Sequence, residues 1–206
     1  MRNFFKKRHI NYWRNRNIDW KQAYFEDHPH RDLIVEALRR LKIGSVMEFG
    51  CASGYNLYKI RKAFPWVEIG GIDISEDAIE TAKKLLPEDT AVLEACSADK
   101  VFLSDKSSDV VLTDACLIYF DPLSINKVVK EMKRVARKHV LLVEFNSRNW
   151  LKRLALRLFT GYNSYDWKKL LEKHGFSDVE MYKITEEDWP GGEPWKTFGY
   201  LISARV

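Results

Sequence analysis

The sequence predicts an α/β protein in which helices cover both faces of a doubly wound, mainly parallel, seven-stranded sheet. Three observations predict it. From Val46 onward, short apolar runs alternate with amphipathic helical stretches, the pattern of successive strand–helix units. Residues 45–54, Ser-Val-Met-Glu-Phe-Gly-Cys-Ala-Ser-Gly, close one such run on an acidic residue and turn through Gly50 and Gly54 into a helix. At 206 residues, without an internal repeat, low-complexity tract or linker, the chain fits a domain with a sizeable core.

The first strand is expected over residues 46–49. A helix over 54–64 follows, keeping Leu57, Ile60 and Phe64 on one face and stopping at Pro65. The second strand, over 67–73, ends on Asp73. Ser75 then caps a helix whose first turn carries Glu76 and Asp77 at the positive end of the helix dipole; Ile79, Ala82 and Leu86 form its buried stripe and Pro87 ends it. A short third strand over 91–95 leads through a loop to the fourth, over 109–113. The helix over 123–136 turns Ile125, Val128, Met132 and Val135 inward, and the fifth strand runs over 139–145. Residues 166–174 read as a helix with Gly175 just past its last turn, and 176–184 and 198–204 as the last two strands. The segment 189–195 between them, Trp-Pro-Gly-Gly-Glu-Pro-Trp, reads as a rigid loop able to form a pocket wall. Ahead of the first strand lie Tyr12, Trp13, Trp20, Tyr24 and Phe25. His28-Pro29-His30 then opens a helix with Leu33, Ala37, Leu38 and Leu41 as its apolar face.

Hydrophobic residues make up 46% and charged residues 31%, which excludes a disordered chain. No apolar run approaches the length of a membrane span, and the basic, aromatic first 17 residues lack the apolar stretch of a secretory signal. Cys51, Cys96 and Cys116 are odd in number and unpaired in spacing. They point to a reducing, cytoplasmic setting rather than a disulfide framework, and no metal site is expected. The net charge of +5 concentrates in Arg2, Lys6, Lys7, Arg8, Arg14 and Arg16, and again in Arg148, Lys152, Arg153 and Arg157. Such clusters read first as solvated faces, with nucleic acid or anionic lipid as alternative partners.

A strand that turns through glycines into a helix suits a nucleotide-like cofactor. Glycine lets the main chain approach a ligand, and the helix start presents unpaired N–H groups. Asp73 stands where an acidic side chain meets ribose hydroxyls at the end of the neighbouring strand. A dinucleotide loop needs glycine at its first, third and sixth places, where this chain has Gly50, Ala52 and Tyr55; the Tyr would fill the space needed for helix–strand packing. The pattern acidic-x-Gly-x-Gly-x-Gly instead matches Glu48, Gly50 and Gly54, with Ala52 in the middle.

In these residues the chain resembles motif I of the class I S-adenosylmethionine-dependent methyltransferases, and the resemblance spans roughly residues 31–206. It implies a Rossmann-like sheet with an antiparallel terminal strand, S-adenosylmethionine as cofactor and S-adenosylhomocysteine as product. It also implies a helical cap over residues 1–30, a methyltransferase domain over 31–206, and a lid-like insertion over 146–163. Glu48, Gly50, Cys51, Ala52 and Gly54 would form the loop beside the methionine part; Asp73, with Ile74 after it, would meet the ribose. Ser108-Asp109-Val110-Val111 is similar to the family's Phe-Asp-Val-Val segment and places Ser97 and Ala98 at the adenine, Ser97 standing where the family has Asp and Asp99 able to substitute. Asp114 and Ala115 would pass the methionine end.

The segment 113–122 lacks the Asn or Asp, two prolines and aromatic of base- and glutamine-directed enzymes, and Cys116 lacks the preceding proline of the cytosine-carbon type. Nucleic acid is therefore not the expected partner. The resemblance implies methyl transfer to an oxygen or nitrogen atom of a small-molecule or lipid- or sugar-linked metabolite. Tyr119, His28 and Glu144 are the candidate proton acceptors or orienters, with His30 beside them. On the helix expected within the insertion, Trp150, Leu151, Leu154, Leu158 and Phe159 share a face bordered by Lys152, Arg153 and Arg157. It suits a lid over the site, with peripheral membrane contact through 150–159 as the alternative. An RNA methyltransferase using the basic N-terminus, a non-catalytic cofactor-binding module and, behind them, a nicotinamide-dependent oxidoreductase are the competing functions.

Overall fold

Side-chain alternation along the strands divides the core into two layers, one on each face of a seven-stranded sheet. The computed structural model describes residues 12–16, 18–20, 27–86, 88–89 and 92–206. In chain order the elements are α1 (Pro29–Arg39), β1 (Ser45–Phe49), α2 (Tyr55–Ala63), β2 (Glu68–Asp73), α3 (Glu76–Leu85), β3 (Val92–Ala95) and β4 (Ser108–Asp114). A short 3-10 turn (Leu117–Tyr119) leads to α4 (Ile125–Val135), β5 (Ala136–Phe145), α5 (Trp150–Thr160), α6 (Trp167–Lys173), β6 (Ser177–Lys183), α7 (Glu193–Phe198) and β7 (Gly199–Arg205). The sheet order is β3-β2-β1-β4-β5-β7-β6. Strands β1 to β5 pair in parallel, and β7 runs antiparallel between β5 and β6, as the resemblance implies.

Val46, Val110, Leu112, Leu141, Val143 and Phe145 face one layer, with α1, α2 and α3 packed against it. Met47, Phe49, Val111, Val140 and Leu142 face the other, against α4 and α6. The central strands β1, β4 and β5 thus bury both faces, the reason these runs read as near-continuously apolar. The order reverses at β1, whose neighbours are β2 on one side and β4 on the other. Such a switch point opens a crevice at the carboxyl ends of the strands.

Several boundaries differ from expectation. The fifth strand begins at Ala136, directly after α4, because Arg137 and Lys138 extend along β4 and reach the carboxylate of Asp109 at 2.6 and 2.8 Å. Pairing with β4 overrides the helical preference of these long side chains. The segment after Trp189 is not wholly a loop: Pro194 enters at the start of α7, and Trp195 is buried against Phe145. In α1 the fully buried face is His30, Ile34, Val35 and Leu38, while Leu33, Ala37 and Leu41 lie partly buried beside it. The helix over 150–160 forms, but Trp150, Leu151, Leu154, Leu158 and Phe159 are exposed and only Leu156 is buried. Its apolar face therefore turns to solvent instead of closing over the site. Among the described residues, no helix is long and apolar enough to cross a membrane. Arg2, Lys6, Lys7, Arg8, Tyr24, Phe25, Pro87 and Ala91 lie outside the described residues.

Asp109 is 3% exposed, and besides Arg137 and Lys138 it accepts from the Gly44 N–H at 2.8 Å, tying β4 to β5 at the end away from the crevice. Burial alone would raise its pKa, but Lys138, the Gly44 N–H and Arg137 together hold it below 3.8. Its contribution is therefore present above about pH 4 and lost as the pH falls through the lowered native value. Asp109→Ala should cost about 1–3 kcal/mol, discounted because both cations are half-exposed. Chemical denaturation at pH 7 checks the size; affinity for S-adenosylhomocysteine should stay unchanged.

Candidate active site

The crevice at the switch point deepens into a cavity of about 380 Å³. Its walls come from the carboxyl ends of β1, β2 and β4, the turns after them, α1, and aromatic side chains from both ends of the chain. Gly50 and Cys51 donate their N–H groups to the Ile72 carbonyl at 2.7 and 2.9 Å, so the loop after β1 folds back onto β2. The Asp73 carboxylate accepts from the Ala52 N–H at 3.0 Å and from the Ser75 N–H at 2.9 Å. It fixes the loop and the start of α3 at once, and each oxygen keeps lone-pair capacity for a further donor. Burial raises its pKa despite those N–H bonds.

Ala52 adopts φ 48°, the left-handed conformation a glycine takes freely, at a cost of about 1–2 kcal/mol. Gly50 has φ 80°, and a Cβ there would lie 2.4 Å from Cys116 Sγ and 2.7 Å from Cys116 Cβ. Gly54, at φ 82°, caps α2, and a Cβ on it would press to 2.9 Å from Leu86 Cδ1. These two glycines are thus required by the packing of the loop itself, whatever it binds.

Beneath the loop lies a buried polar lattice. Asn56, in the first turn of α2, donates from Nδ2 to Glu48 Oε1 at 2.7 Å and to Asp114 Oδ2 at 2.9 Å, while its own oxygen accepts from Arg31 Nε at 3.1 Å. His30 Nε2 meets Asp114 Oδ2 at 2.8 Å, and His30 Nδ1 meets His28 Nδ1 at 2.6 Å. His30 also stacks on Trp189, with ring centroids 4.1 Å apart and an interplanar angle of 27°. Burial raises the Glu48 pKa to about 8, so its carboxyl is mostly protonated at pH 7. Burial pushes Asp114 upward too, but His30 and then Asn56, both hydrogen-bonded to it, outweigh it and leave the pKa lowered.

Of the predicted residues, Glu48, Gly50, Cys51, Ala52, Asp73, Ile74, Ser97, Ala98, Asp114, Ala115, His28 and Tyr119 line this cavity. Gly54 does not; it acts through the helix it caps. Glu144 is a correction. Its carboxylate lies outside the cavity lining and accepts the N–H groups of Cys116 at 3.0 Å, Leu117 at 2.9 Å and Ile118 at 3.2 Å. It holds the 3-10 turn that carries Tyr119, with all three donors spent on structure. Ser97 donates its hydroxyl hydrogen to Asp99 at 2.7 Å, which aims its oxygen as an acceptor. Burial lifts the Cys116 thiol well above its ordinary pKa, which suits a packing role.

Asn56 and Arg31 also line the cavity and were not foreseen as site residues, while Trp189 lines it from the segment expected to form a pocket wall. Asn56 left a faint signal: it sits one turn before Ile60, at the edge of the Leu57–Ile60–Phe64 stripe, where an apolar residue belongs.

The model of the family described as "Methyltransferase domain" matches residues 46–139. Among solved structures, the magnesium protoporphyrin IX methyltransferase of Synechocystis PCC 6803 with bound S-adenosylhomocysteine superposes with a TM-score of 0.69 at 17% identity, covering 98% of this chain and 99% of that one. A geranyl diphosphate methyltransferase in complex with sinefungin gives 0.72 at 14% identity, covering 98% of each chain. Residues 46–139 match a methyltransferase domain, and the fold is that of the class I S-adenosylmethionine-dependent methyltransferases. Among curated proteins, this methyltransferase is similar to the malonyl-[acyl-carrier protein] O-methyltransferase of Priestia megaterium, with 31% identity over 91 residues, 43% of this chain and 33% of that protein. The enzyme of the same name from Brevibacillus brevis is 23% identical over 214 positions, covering 91% of this chain and 73% of that one. A third, from Bacillus cytotoxicus, matches over 46% of its length; the chain spans from a third to under half of two of these three relatives.

The methyltransferase site fits the family's cofactor. Glu48 Oε2 and Asp114 Oδ1 are buried without a partner, two carboxyl oxygens, one already anionic and one able to become so, suited to an ammonium group. Asp73 keeps acceptor capacity suited to ribose hydroxyls, and Ser97 and Ala98 line the cavity beyond it.

Two predictions arise. Gly50→Ala should lower the stability of the ligand-free protein by about 2 kcal/mol or more through left-handed strain and the Cys116 contact, visible as a fall in the thermal midpoint without cofactor. A midpoint unchanged within a degree would remove the packing argument. An ammonium group beside Glu48 would lower its pKa from about 8, so S-adenosylhomocysteine should release protons on binding between about pH 4.5 and 8. Calorimetry in buffers of different ionisation enthalpy measures this release, and Glu48→Gln should abolish it.

Proposed function

We propose that this methyltransferase moves the methyl group of S-adenosylmethionine to an oxygen atom of a small metabolite, free or held on a carrier, in a reducing cytoplasmic setting. The observation that carries the reading is the chain Asp114–His30–His28, which runs from a buried carboxylate beside the cofactor region to the wall of the acceptor space. The names of the curated relatives, O-methyltransferases of a carried acid, support the choice of oxygen. The same names support a compact acceptor, and a cavity of about 380 Å³ shared with a cofactor leaves room for little more.

When bound, the cofactor supplies an electrophilic methyl on a sulfonium, so the protein's task is alignment, exclusion of water and proton removal. Asp114 is acceptor-only, so His30 holds a hydrogen on Nε2. We place the hydrogen of the 2.6 Å Nδ1–Nδ1 contact on His28, in preference to the longer 3.5 Å cap bond in which His28 Nδ1 accepts from the His30 N–H. That leaves Nε2 of His28 as the base for an acceptor hydroxyl. Burial, then the neighbouring His30 and the Arg31 guanidinium, lower the His28 pKa below 6.5. The base form therefore dominates at neutral pH. Trp13, Tyr119 and Trp189 wall the remaining space; Trp13 packs edge-on against Tyr119 at 5.1 Å. With the segment before residue 31 supplying Trp13, Trp20 and His28 to the cavity, we read it as a cap on the domain over 31–206. Tyr119 serves in this reading as an orienter.

The test uses methyl-labelled donor with hydroxylated and carboxylated small molecules and a malonyl thioester on acyl carrier protein. Oxygen-linked label, with carboxyl esters releasing methanol in alkali, supports the reading. Label found only on nitrogen, or none despite S-adenosylhomocysteine binding, would overturn it. For a hydroxyl acceptor, His28→Gln should lower kcat about 100-fold and remove the acid limb of the pH–rate profile, which in the parent falls only below about pH 6.5. Unchanged kcat in the variant would remove His28 from the chemistry.

A further inference from the structure

Helix α5 inverts the usual arrangement of a surface helix. Five of its large apolar side chains are exposed: Trp150 63%, Leu151 57%, Leu154 46%, Leu158 73% and Phe159 88%. At 3.6 residues per turn they occupy a continuous arc of about 180° on the outward side. Leu156, on the opposite side, is the buried anchor. Lys152 and Arg157 fall at the two borders of the apolar arc, both exposed, and Arg153 lies further inward, donating to the Ser147 carbonyl at 3.3 Å. The helix carries no acidic residue, and exposed Arg148 just before it adds a further cation.

We propose that α5 is an interfacial helix that seats this protein on an anionic lipid surface. An apolar arc bordered by cations on both sides is what a helix lying in the headgroup plane needs: the arc enters the acyl boundary while the long basic side chains reach up to lipid phosphates. Charge argues against a second copy of this chain as the occupant, since facing two such helices would bring like-charged borders together. Trp150 and Phe159 place aromatic rings at both ends of the arc, suited to the boundary between headgroups and chains.

The surface is coupled to the site. Asn149 caps α5 just beyond the carboxyl end of β5, accepting from the N–H groups of Leu151 and Lys152 at 2.9 and 3.2 Å. At its other end, Asn163 binds the Ile118 carbonyl through both its backbone and side-chain nitrogens, and Tyr162 packs edge-on against Tyr119 at 5.6 Å. Tyr119 is a wall of the acceptor space. A bilayer under α5 would therefore lie beside the cavity wall, and the acceptors reached there would be amphiphiles held at the membrane surface. This last step rests on the proposed function; the docking itself does not.

Co-sedimentation of the full chain with phosphatidylglycerol–phosphatidylcholine vesicles, and with phosphatidylcholine alone, tests the docking. Binding to the anionic vesicles, weakened by salt, is expected, with little binding to the neutral ones. The double variant Leu154→Glu/Leu158→Glu alters only exposed positions and should keep its affinity for S-adenosylhomocysteine while losing vesicle partitioning by about tenfold or more. Absence of binding to anionic vesicles would overturn the proposal. So would binding that the double variant leaves intact, which would assign it to the basic N-terminus, or equal binding to neutral vesicles. A concentration-dependent dimer in sedimentation velocity, abolished by the same variant, would assign the face to self-association instead.

Discussion

One amide holds the site together. Asn56 spends both Nδ2 hydrogens on carboxylates at the ends of two strands and its oxygen on Arg31 of α1. It thereby joins β1, β4, α1 and α2 at the point where the sheet order reverses. Buried carboxylates cannot stand close together without donors between them, because each charge is costly out of water and repels the next. The raised pKa of Glu48 and the lowered one of Asp114 show how the lattice distributes that cost: one carboxyl keeps its proton, the other its charge beside His30. The cavity thus carries one strong anion and one group ready to become an anion when a cation arrives.

The same lattice reaches the acceptor side. His30 is buried between Asp114 and the ring of Trp189, and Trp189 in turn stacks on Trp195 with centroids 3.8 Å apart. Trp195 packs against Phe145 at the end of β5. Aromatic contacts therefore link the histidine pair at one end of the chain to the last helix at the other. Glu144 works similarly on the opposite wall, gathering three backbone N–H groups so that the turn bearing Tyr119 has a defined position. Carboxylates next to the cavity serve in two ways here: some face a ligand space, and one is consumed by the scaffold.

Much of the architecture was legible in the chain. Runs of β-branched residues separated by amphipathic stretches mark strands buried on both faces and the helices that cover them, and the Gly50–Gly54 turn marks where a nucleotide-like cofactor sits. Less legible were features set by distant partners. Ala136 reads as the end of a helix and residues 137–138 fall between elements; their strand conformation depends on Ser108 and Asp109 across the ladder. The reason for Gly50 was legible only in part: a tight turn was evident, but the side chain that fills the space beside it, Cys116, is far along the sequence. Glu144 resembled a strand-end acid poised for chemistry because nothing local shows where its oxygens point.

The sequence by itself determined the order of strands and helices, the loop geometry and the family of cofactor, because those depend on local periodicity, on backbone freedom at a few positions and on short spacings. Only the tertiary structure decided which carboxylates face the cavity, that Asn56 and Arg31 belong to its wall, and that the apolar face of α5 turns outward. Each of these is set by contacts between residues far apart in the chain, and a side chain's neighbours across a sheet leave no trace in the pattern along it.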